Sequence, residues 1–222
     1  MAKLLIKFPS RERPQKFRDC LANILDTVQN IENVMIVATL DNNDSTMEWA
    51  KTLDKPYLKV MFGESSNKIH AVNRDMSKIS FKWDYCLVMS DDMKFIKKGW
   101  DSIIDHYFNM LSDGFDKELI LHFPTDKLHG DRIITMPIFN RKWFERFGYI
   151  YHPSYLSLFC DDEQTMVSKI TGSYRKLSEQ IAVHLHPIYT GEKLDPLLEK
   201  TQSFNDQDHK NYELRKSINF GL

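Results

Sequence analysis

The chain has 222 residues, with 30 Lys and Arg against 31 Asp and Glu and a formal net charge of −1 at pH 7. With 42% hydrophobic and 27% charged residues it is long enough and apolar enough to bury a core, which excludes wholesale disorder and a broadly basic coat for nucleic acid. The longest apolar runs, 34–38 and 85–89, are far shorter than the roughly 20 residues of a membrane span, and the apolar stretch between Lys3 and Lys7 is too short for a secretory signal.

In chain order, residues 3–8 (KLLIKF) form a short apolar run stopped by Pro9 and predict a buried first strand. Pro14 suits a first helical turn, and Phe17, Leu21, Ile24, Leu25 and Val28 follow at helical spacing. The β-branched run 34–40 predicts a second buried strand, ending in the turn formers Asp41-Asn42-Asn43-Asp44. Ser45 and Glu48 then have capping-box spacing ahead of a short helix. Residues 57–62 alternate as a third strand, and the loop 63–67 leads to a helix with Ile69, Val72, Met76 and Ile79 on one face. Residues 85–89 read as a fourth buried strand running into Ser90-Asp91-Asp92. Trp100, Ile103, Ile104, Phe108 and Leu111 mark the next amphipathic helix. This β-α-β-α-β-α-β-α order predicts an α/β fold, a mostly parallel central sheet flanked by helices. Further on, the pattern predicts strands at 118–123 and 133–136 and a capped helix over 140–147 ending at Gly148. A helix capped by Asp161-Asp162 and stopped by Gly172 follows, then a strand at 181–186 ended by Pro187 and a last helix over 206–218. No linker is visible, so the expected organisation is one domain over 1–190 with a helical arm over 191–222. Cys20, Cys86 and Cys160 are odd in number and far apart, which argues for a soluble intracellular protein without a disulfide framework or thiolate zinc site.

Ligands of open α/β sheets bind beyond the C-terminal ends of the strands. Four polar clusters fall at such ends: Pro9-Ser10-Arg11-Glu12-Arg13, Asp41-Asn42-Asn43-Asp44, Asn67-Lys68 and Ser90-Asp91-Asp92. Each alone fits ordinary turn and cap chemistry; their placement on one rim points to a site. Asp91 and Asp92 directly follow a buried strand and need a cation or strong donors to stay ionised together. As hard oxygen ligands they suit Mg²⁺ or Mn²⁺ bridging a diphosphate. The acidic run Asp161-Asp162-Glu163 follows an aromatic-rich stretch and offers a candidate general base, although acids also favour helix N-termini. His184 and His186 share a strand face and can aim both imidazoles at one site; a structural pair is the other reading. No G-x-G-x-x-G, G-x-x-x-x-G-K-[ST] or G-x-S-x-G is present, which disfavours dinucleotide-binding, P-loop and nucleophile-elbow enzymes.

These clusters, in this order, resemble those of the GT-A fold nucleotide-sugar glycosyltransferases, in particular small family-two-like enzymes of phages and bacteria. The resemblance covers roughly residues 3–190 and rests on FPSRERP, LDNNDS, SNKIHAVN, LVMSDDM, TMPIFNRKWFERFGYIYHP, CDDEQT and VHLHP. It implies a nucleotide-sugar half over 1–112 and an acceptor half over 113–190. It implies that Pro9, Ser10, Arg11, Arg13 and Asp41 hold nucleobase and ribose, with Lys68 near the diphosphate and Asn73 on the same side. Asp92 matches the last acid of the family's metal-binding DxD. Ser90 replaces the first acid, and Asp91 stands in for it at the ribose. His184 or His186 completes the metal shell. Asp161 or Asp162 is the implied catalytic base, Asp161 being favoured, with Glu163 orienting it. Trp143, Phe144, Tyr149 and Tyr151 offer an aromatic acceptor wall. The implied activity is a Mn²⁺- or Mg²⁺-dependent, inverting transfer from a UDP-sugar to an acceptor hydroxyl in the cytoplasm, the host's for a phage-encoded enzyme. The acceptor is open between a hydroxymethylated base in phage DNA and a glycan or envelope hydroxyl. In the first case Lys127, Arg132, Arg141, Lys142, Arg146, Arg175 and Lys176 would face phosphates. The alternatives are a two-metal phosphoesterase or nuclease, and a non-catalytic nucleotide-sugar-binding module, to which Ser90 hints.

Overall fold

The structure, a computed structural model, describes residues 4–111, 116–126 and 132–222; Lys127 lies outside the described residues. The chain begins with β1 (Leu4–Pro9), α1 (Pro14–Thr27), β2 (Val34–Asp41), a 3₁₀ segment (Ser45–Thr52), β3 (Leu58–Gly63), α2 (Lys68–Arg74) and β4 (Tyr85–Val88). It continues with β5 (Met93–Phe95), α3 (Trp100–Leu111), β6 (Ile120–His122), β7 (Ile138–Asn140), α4 (Arg141–Phe147), α5 (Cys160–Ile170), β8 (Tyr174–Lys176) and β9 (Ala182–His184). The short α6 (Pro187–Thr190), α7 (Pro196–Gln202) and α8 (Asn205–Ser217) follow.

A seven-stranded sheet has the order β3-β2-β1-β4-β7-β6-β8. Its first four strands are parallel, in register Ile6↔Ile36, Ile6↔Leu87 and Ala38↔Val60. β7 runs antiparallel to both β4 and β6, and β8 is parallel to β6. The parallel strands read as continuous apolar runs because both faces are covered. On one face Leu4, Ile6, Phe8, Ile36 and Leu87 meet Phe17 and Ile24 of α1 and Trp100, Ile104 and Phe108 of α3. On the other, Leu5, Val37, Cys86 and Val88 meet Ile69 and Val72 of α2, Trp143 of α4 and Val167 of α5. β5 and β9 form a separate antiparallel pair, with Met93 opposite His184.

Five local expectations are corrected. The helix expected to carry Ile69, Val72, Met76 and Ile79 ends at Arg74, where Asp75 turns inward to the Thr39 hydroxyl, and Met76 lies in a separate 3₁₀ turn, Met76–Lys78. The segment after β2 is capped by Asp44, whose carboxylate accepts from Thr46 N at 3.1 Å, and not by a Ser45–Glu48 box. The strand expected over 133–136 is irregular chain. Ile134 and Met136 are buried there, which produces the apolar alternation, while the ladder partners of β4 come from Ile138–Asn140. Asp161 and Asp162 lie within the first turn of α5; its N-cap is Phe159, without a side-chain bond. The strand expected over 181–186 ends at His184. Elsewhere the local chemistry acts as expected. Asn140 caps α4 by accepting from Trp143 N at 3.1 Å, and Gly148 ends it at φ 72°, where a side chain would be strained. Cys20, Cys86 and Cys160 are buried thiols. Among the described residues no helix is long and apolar enough to cross a membrane.

Candidate active site

A cleft of about 500 Å³ opens beyond the C-terminal ends of the parallel strands. One wall carries Pro9, Ser10, Arg11 and Arg13 after β1, Asp41 at the end of β2, Lys68 at the start of α2, and Ser90, Asp91 and Asp92 after β4. The other carries Tyr151, the 157–160 stretch, Asp161 and Asp162. His184 and His186 come from the end of β9 and the chain after it, and α7 adds Leu197, Leu198 and Thr201.

The first wall is a set of buried acids matched to donors. Asp91 accepts from Ser10 Oγ at 2.7 Å and Arg13 Nη1 at 3.0 Å, and the same guanidinium reaches Asp195 at 2.8 Å. Burial pushes the Asp91 carboxyl above its ordinary pKa, against the pull of Arg13 and Ser10. Burial acts on Asp92 in the same direction but is outweighed. His184, the Ser90 hydroxyl and Lys68 hold the Asp92 carboxyl well below the usual carboxylate range. His184 Nε2 stands 3.3 Å from Asp92 Oδ1, a proximity fixed by the Met93↔His184 register of the small sheet. The His186 ring lies 5.7 Å from that of His184, and burial lowers its pKa. Of the two histidines the sequence left open, His184 is therefore the one that meets Asp92. Asp41 accepts from Arg11 at 2.7 Å and Arg74 at 3.2 Å. Arg74 passes over Gly63, where a Cβ would sit 2.9 Å from the guanidinium carbon, so a side chain there would push the guanidinium aside.

On the opposite wall Asp161 Oδ1 accepts from Asp162 N at 3.1 Å, and both side chains are half-buried at the cleft. Burial and the charge of Asp161 push the Asp162 carboxyl up to about 7. Two residues grouped with this machinery by the sequence lie elsewhere. Glu163 does not line the cleft; its buried carboxylate takes Arg215 Nε at 2.6 Å, Arg215 Nη2 at 2.7 Å and the Tyr155 hydroxyl at 2.7 Å. Asn73 is outside the lining as well. It accepts from Ile150 N at 2.9 Å and Tyr151 N at 3.2 Å and donates to Tyr151 O at 2.7 Å, and so pins that stretch of chain. Of the expected aromatic wall only Tyr151 faces the cleft. Trp143 packs on Phe147, Phe144 on Trp83, and Tyr149 on Phe147 and His152. The described basic residues suggested for phosphate contact do not line the cleft, and two are paired locally, Arg141 with Glu145 and Arg146 with Glu118.

Sequence reading missed the support beneath the first wall. Lys7 is wholly buried and bonds the Thr39 hydroxyl, with Asp75 at 3.8 Å; burial pushes its amine down to about 8. Asp75 also takes Thr39 Oγ1 at 2.9 Å and Arg74 at 3.3 Å, so a charged chain runs from the core to Asp41. Its one signal is a lysine inside the apolar run KLLIKF.

Among the described residues no group of three or more His, Cys, Asp and Glu side chains converges as a metal cage. Asp92 with His184 offers one hard oxygen and one imidazole nitrogen. These two donors fit a divalent cation by chemical type and supply only part of a coordination shell.

No protein-family model and no curated protein matches the sequence. Solved structures match the fold. The 1–349 fragment of S. aureus TarS has a TM-score of 0.62 at 14% identity, over 84% of this chain and 61% of that one. A mannosyltransferase from Pyrobaculum calidifontis, PcManGT, in complex with GDP-Man and Mn²⁺, has 0.61 at 13%, over 90% and 67%. The catalytic domain of Drosophila β1,4-galactosyltransferase 7 has 0.55 at 14%, over 91% and 80%. The chain has the GT-A fold. The α/β architecture and the GT-A resemblance read from the motifs are both met, since these neighbours are glycosyltransferases with this sheet. The GT-A unit here spans 61% of the TarS fragment and 37% of a longer TarS structure.

Proposed function

We propose that the protein is a glycosyltransferase. It moves a sugar from a nucleoside-diphosphate sugar, a UDP-sugar, to an acceptor hydroxyl, with inversion and with Mn²⁺ or Mg²⁺ bound. The observation that carries this reading is that a single cleft holds Asp92 and His184 on one wall and the Asp161–Asp162 pair on the other. Neighbouring structures of the same fold support it: TarS in complex with UDP-GlcNAc and PcManGT with GDP-Man and Mn²⁺.

Asp92 and His184 would hold a divalent cation, which when bound would supply positive charge against a departing nucleoside diphosphate. Arg11, Arg13, Asp41 and Asp91 bind the nucleoside portion, and Lys68 lies toward the diphosphate. The acceptor hydroxyl must lose its proton as it attacks. The Asp161–Asp162 pair takes that proton; burial and the charge of Asp161 push the Asp162 carboxyl up to about 7. A base on the wall opposite the leaving group favours attack from the far face, hence inversion. The division proposed is a donor half, 1–112, and an acceptor half, 113–190, with His184 of the second half reaching Asp92 of the first, and the site works in the cytoplasm. Two acceptor classes are put forward: a hydroxymethylated base of phage DNA, flipped out to reach the cleft, and a glycan or envelope hydroxyl.

The test is a panel of UDP- and GDP-sugars with Mn²⁺, read by thermal stabilisation and by release of nucleoside diphosphate. A Tm rise with UDP that needs the metal, together with metal-dependent donor hydrolysis, is the expected result. Metal-driven cleavage of nucleic acid without any donor overturns the reading in favour of a phosphoesterase. Tight donor binding with no turnover on any acceptor leaves a binding module.

A further inference from the structure

The acid pair stands on a segment that its own sequence neighbours do little to hold. α5 opens without a side-chain cap, behind Phe159 in the left-handed region at φ 60°. A bulky residue keeps that conformation only where its surroundings impose it. Here the surroundings are α8. Asp208 of α8 is completely buried, and its carboxylate accepts three consecutive backbone N–H groups, from Leu156 at 2.9 Å and from Ser157 and Leu158 at 2.8 Å. Bonds to an ionised acceptor are roughly twice as strong as neutral ones. The Phe159 ring packs against His209 and Tyr212 at centroid distances of 5.1 and 6.0 Å. Beyond the pair, Arg215 holds Glu163 with two nitrogens and also donates to Phe220 O at 2.8 Å. The chain is thus fixed by one helix immediately before and immediately after Asp161 and Asp162. Neither Asp208 nor Arg215 lines the cleft.

We infer that Asp208 and Arg215 are positioning residues for the acceptor-side base: through the 156–159 stretch and the first turn of α5 they set where the Asp161 and Asp162 carboxylates stand. The inference rests on reading those two acids as the base.

The test uses the full chain with Asp208→Asn and, because disturbing a buried carboxylate can unfold a protein, Arg215→Lys as the milder second variant. With UDP and Mn²⁺ as the probe of the donor wall, both keep the wild-type thermal stabilisation. For hydrolysis of the UDP-sugar that the wild type turns over, kcat falls about 10²-fold, as when a reacting group is displaced by about 1 Å, while KM stays within about twofold. In a chain already carrying Asp161→Asn and Asp162→Asn, neither substitution lowers kcat further, because no base remains to be placed. Carbon-13 NMR of the aspartate carboxyls gives a readout without turnover. Asp162, faced by Asp161, Arg132 and Tyr212, titrates near 7 in the wild type and moves toward the ordinary carboxylate range in both variants. Wild-type kcat in folded variants, or a further loss in the acid-free background, overturns the inference. If the wild type turns over no nucleotide sugar, the functional reading fails and the titration decides alone; an unmoved Asp162 in both variants overturns the positioning role.

Discussion

On the donor wall every acid meets a partner: Asp41 has Arg11 and Arg74, Asp91 has Arg13 and Ser10, and Asp92 has His184 and Ser90. On the acceptor wall Asp161 and Asp162 meet each other. The outcomes are opposite. Asp92 is held ionised far into acid, whereas Asp162 is pushed up to about 7. Two groups of the same chemical type are thus tuned in opposite directions by what surrounds them, which on the proposed function suits one to a cation and the other to a proton near neutral pH. The walls also differ in origin. The donor acids take most of their partners from the neighbouring β1–α1 and β3–α2 units, which the strand order of the sheet brings beside them. The acceptor acids depend on a helix about fifty residues away.

That contrast can be broken at either wall. The largest effect is expected from Asp92→Asn, which should abolish the Mn²⁺-dependent Tm rise with UDP while the apo protein still folds; a rise that survives EDTA removes Asp92 from the metal site. Next come Asp161→Asn and Asp162→Asn. One should lose about 10²–10⁴-fold in transfer with donor binding intact, and the other should change stability by about 1 kcal/mol or less. Equal, near-full turnover by both would place the base elsewhere. Third, His184→Ala should weaken Mn²⁺–UDP binding at least about tenfold, and His186→Ala far less. Calorimetry that ranks the two histidines the other way would reverse the assignment.

The smallest effect concerns pH and stability, and Asp92 and Asp162 should respond with opposite sign. Asp92, depressed in the folded state, stabilises the protein above the ordinary carboxylate pKa, and that contribution is lost on acidification. Asp162, raised to about 7, keeps its proton in the folded state over a range where the unfolded chain has released it, so stability falls as pH rises from about 4 to 7. Asp162→Asn should therefore raise Tm more at pH 8 than at pH 5. The transfer rate should climb with pH up to about 7 and then level; Tm curves of wild type and variant that run parallel would show that Asp162 is not perturbed.

The donor wall was legible because buried parallel strands leave an unmistakable mark. LLIKF, VMIVATL and YCLV are apolar runs that stop at polar clusters, and the clusters are the wall. The acceptor wall was legible only in its acids. β7 has three residues and is a strand because β4 offers it a ladder, not because of its own pattern; Ile134 and Met136, buried without a ladder, carry a better strand pattern than it does. Glu163 and Asn73 show the same limit. Their sequence context matches site residues, but Arg215 and the backbone of Ile150 and Tyr151 claim their polar atoms. The start of α7 is marked in the sequence as well. Asp195-Pro196 is a helix-start pair, and Asp195 caps α7 by accepting from Leu198 N at 2.9 Å.

The Met93↔His184 pairing has a consequence for how the protein is made. Closing a loop of about 90 residues costs entropy that only the finished contact offsets, and such contacts are slow to form. A nascent chain that has emerged only as far as β4 and α3 displays Asp92 without its imidazole. One that has emerged through α5 displays Glu163 without Arg215. The Asp92–His184 pair can thus form once β9 has emerged, and the Glu163–Arg215 pair only once α8 has, so a chain terminated between the two would carry the first without the second.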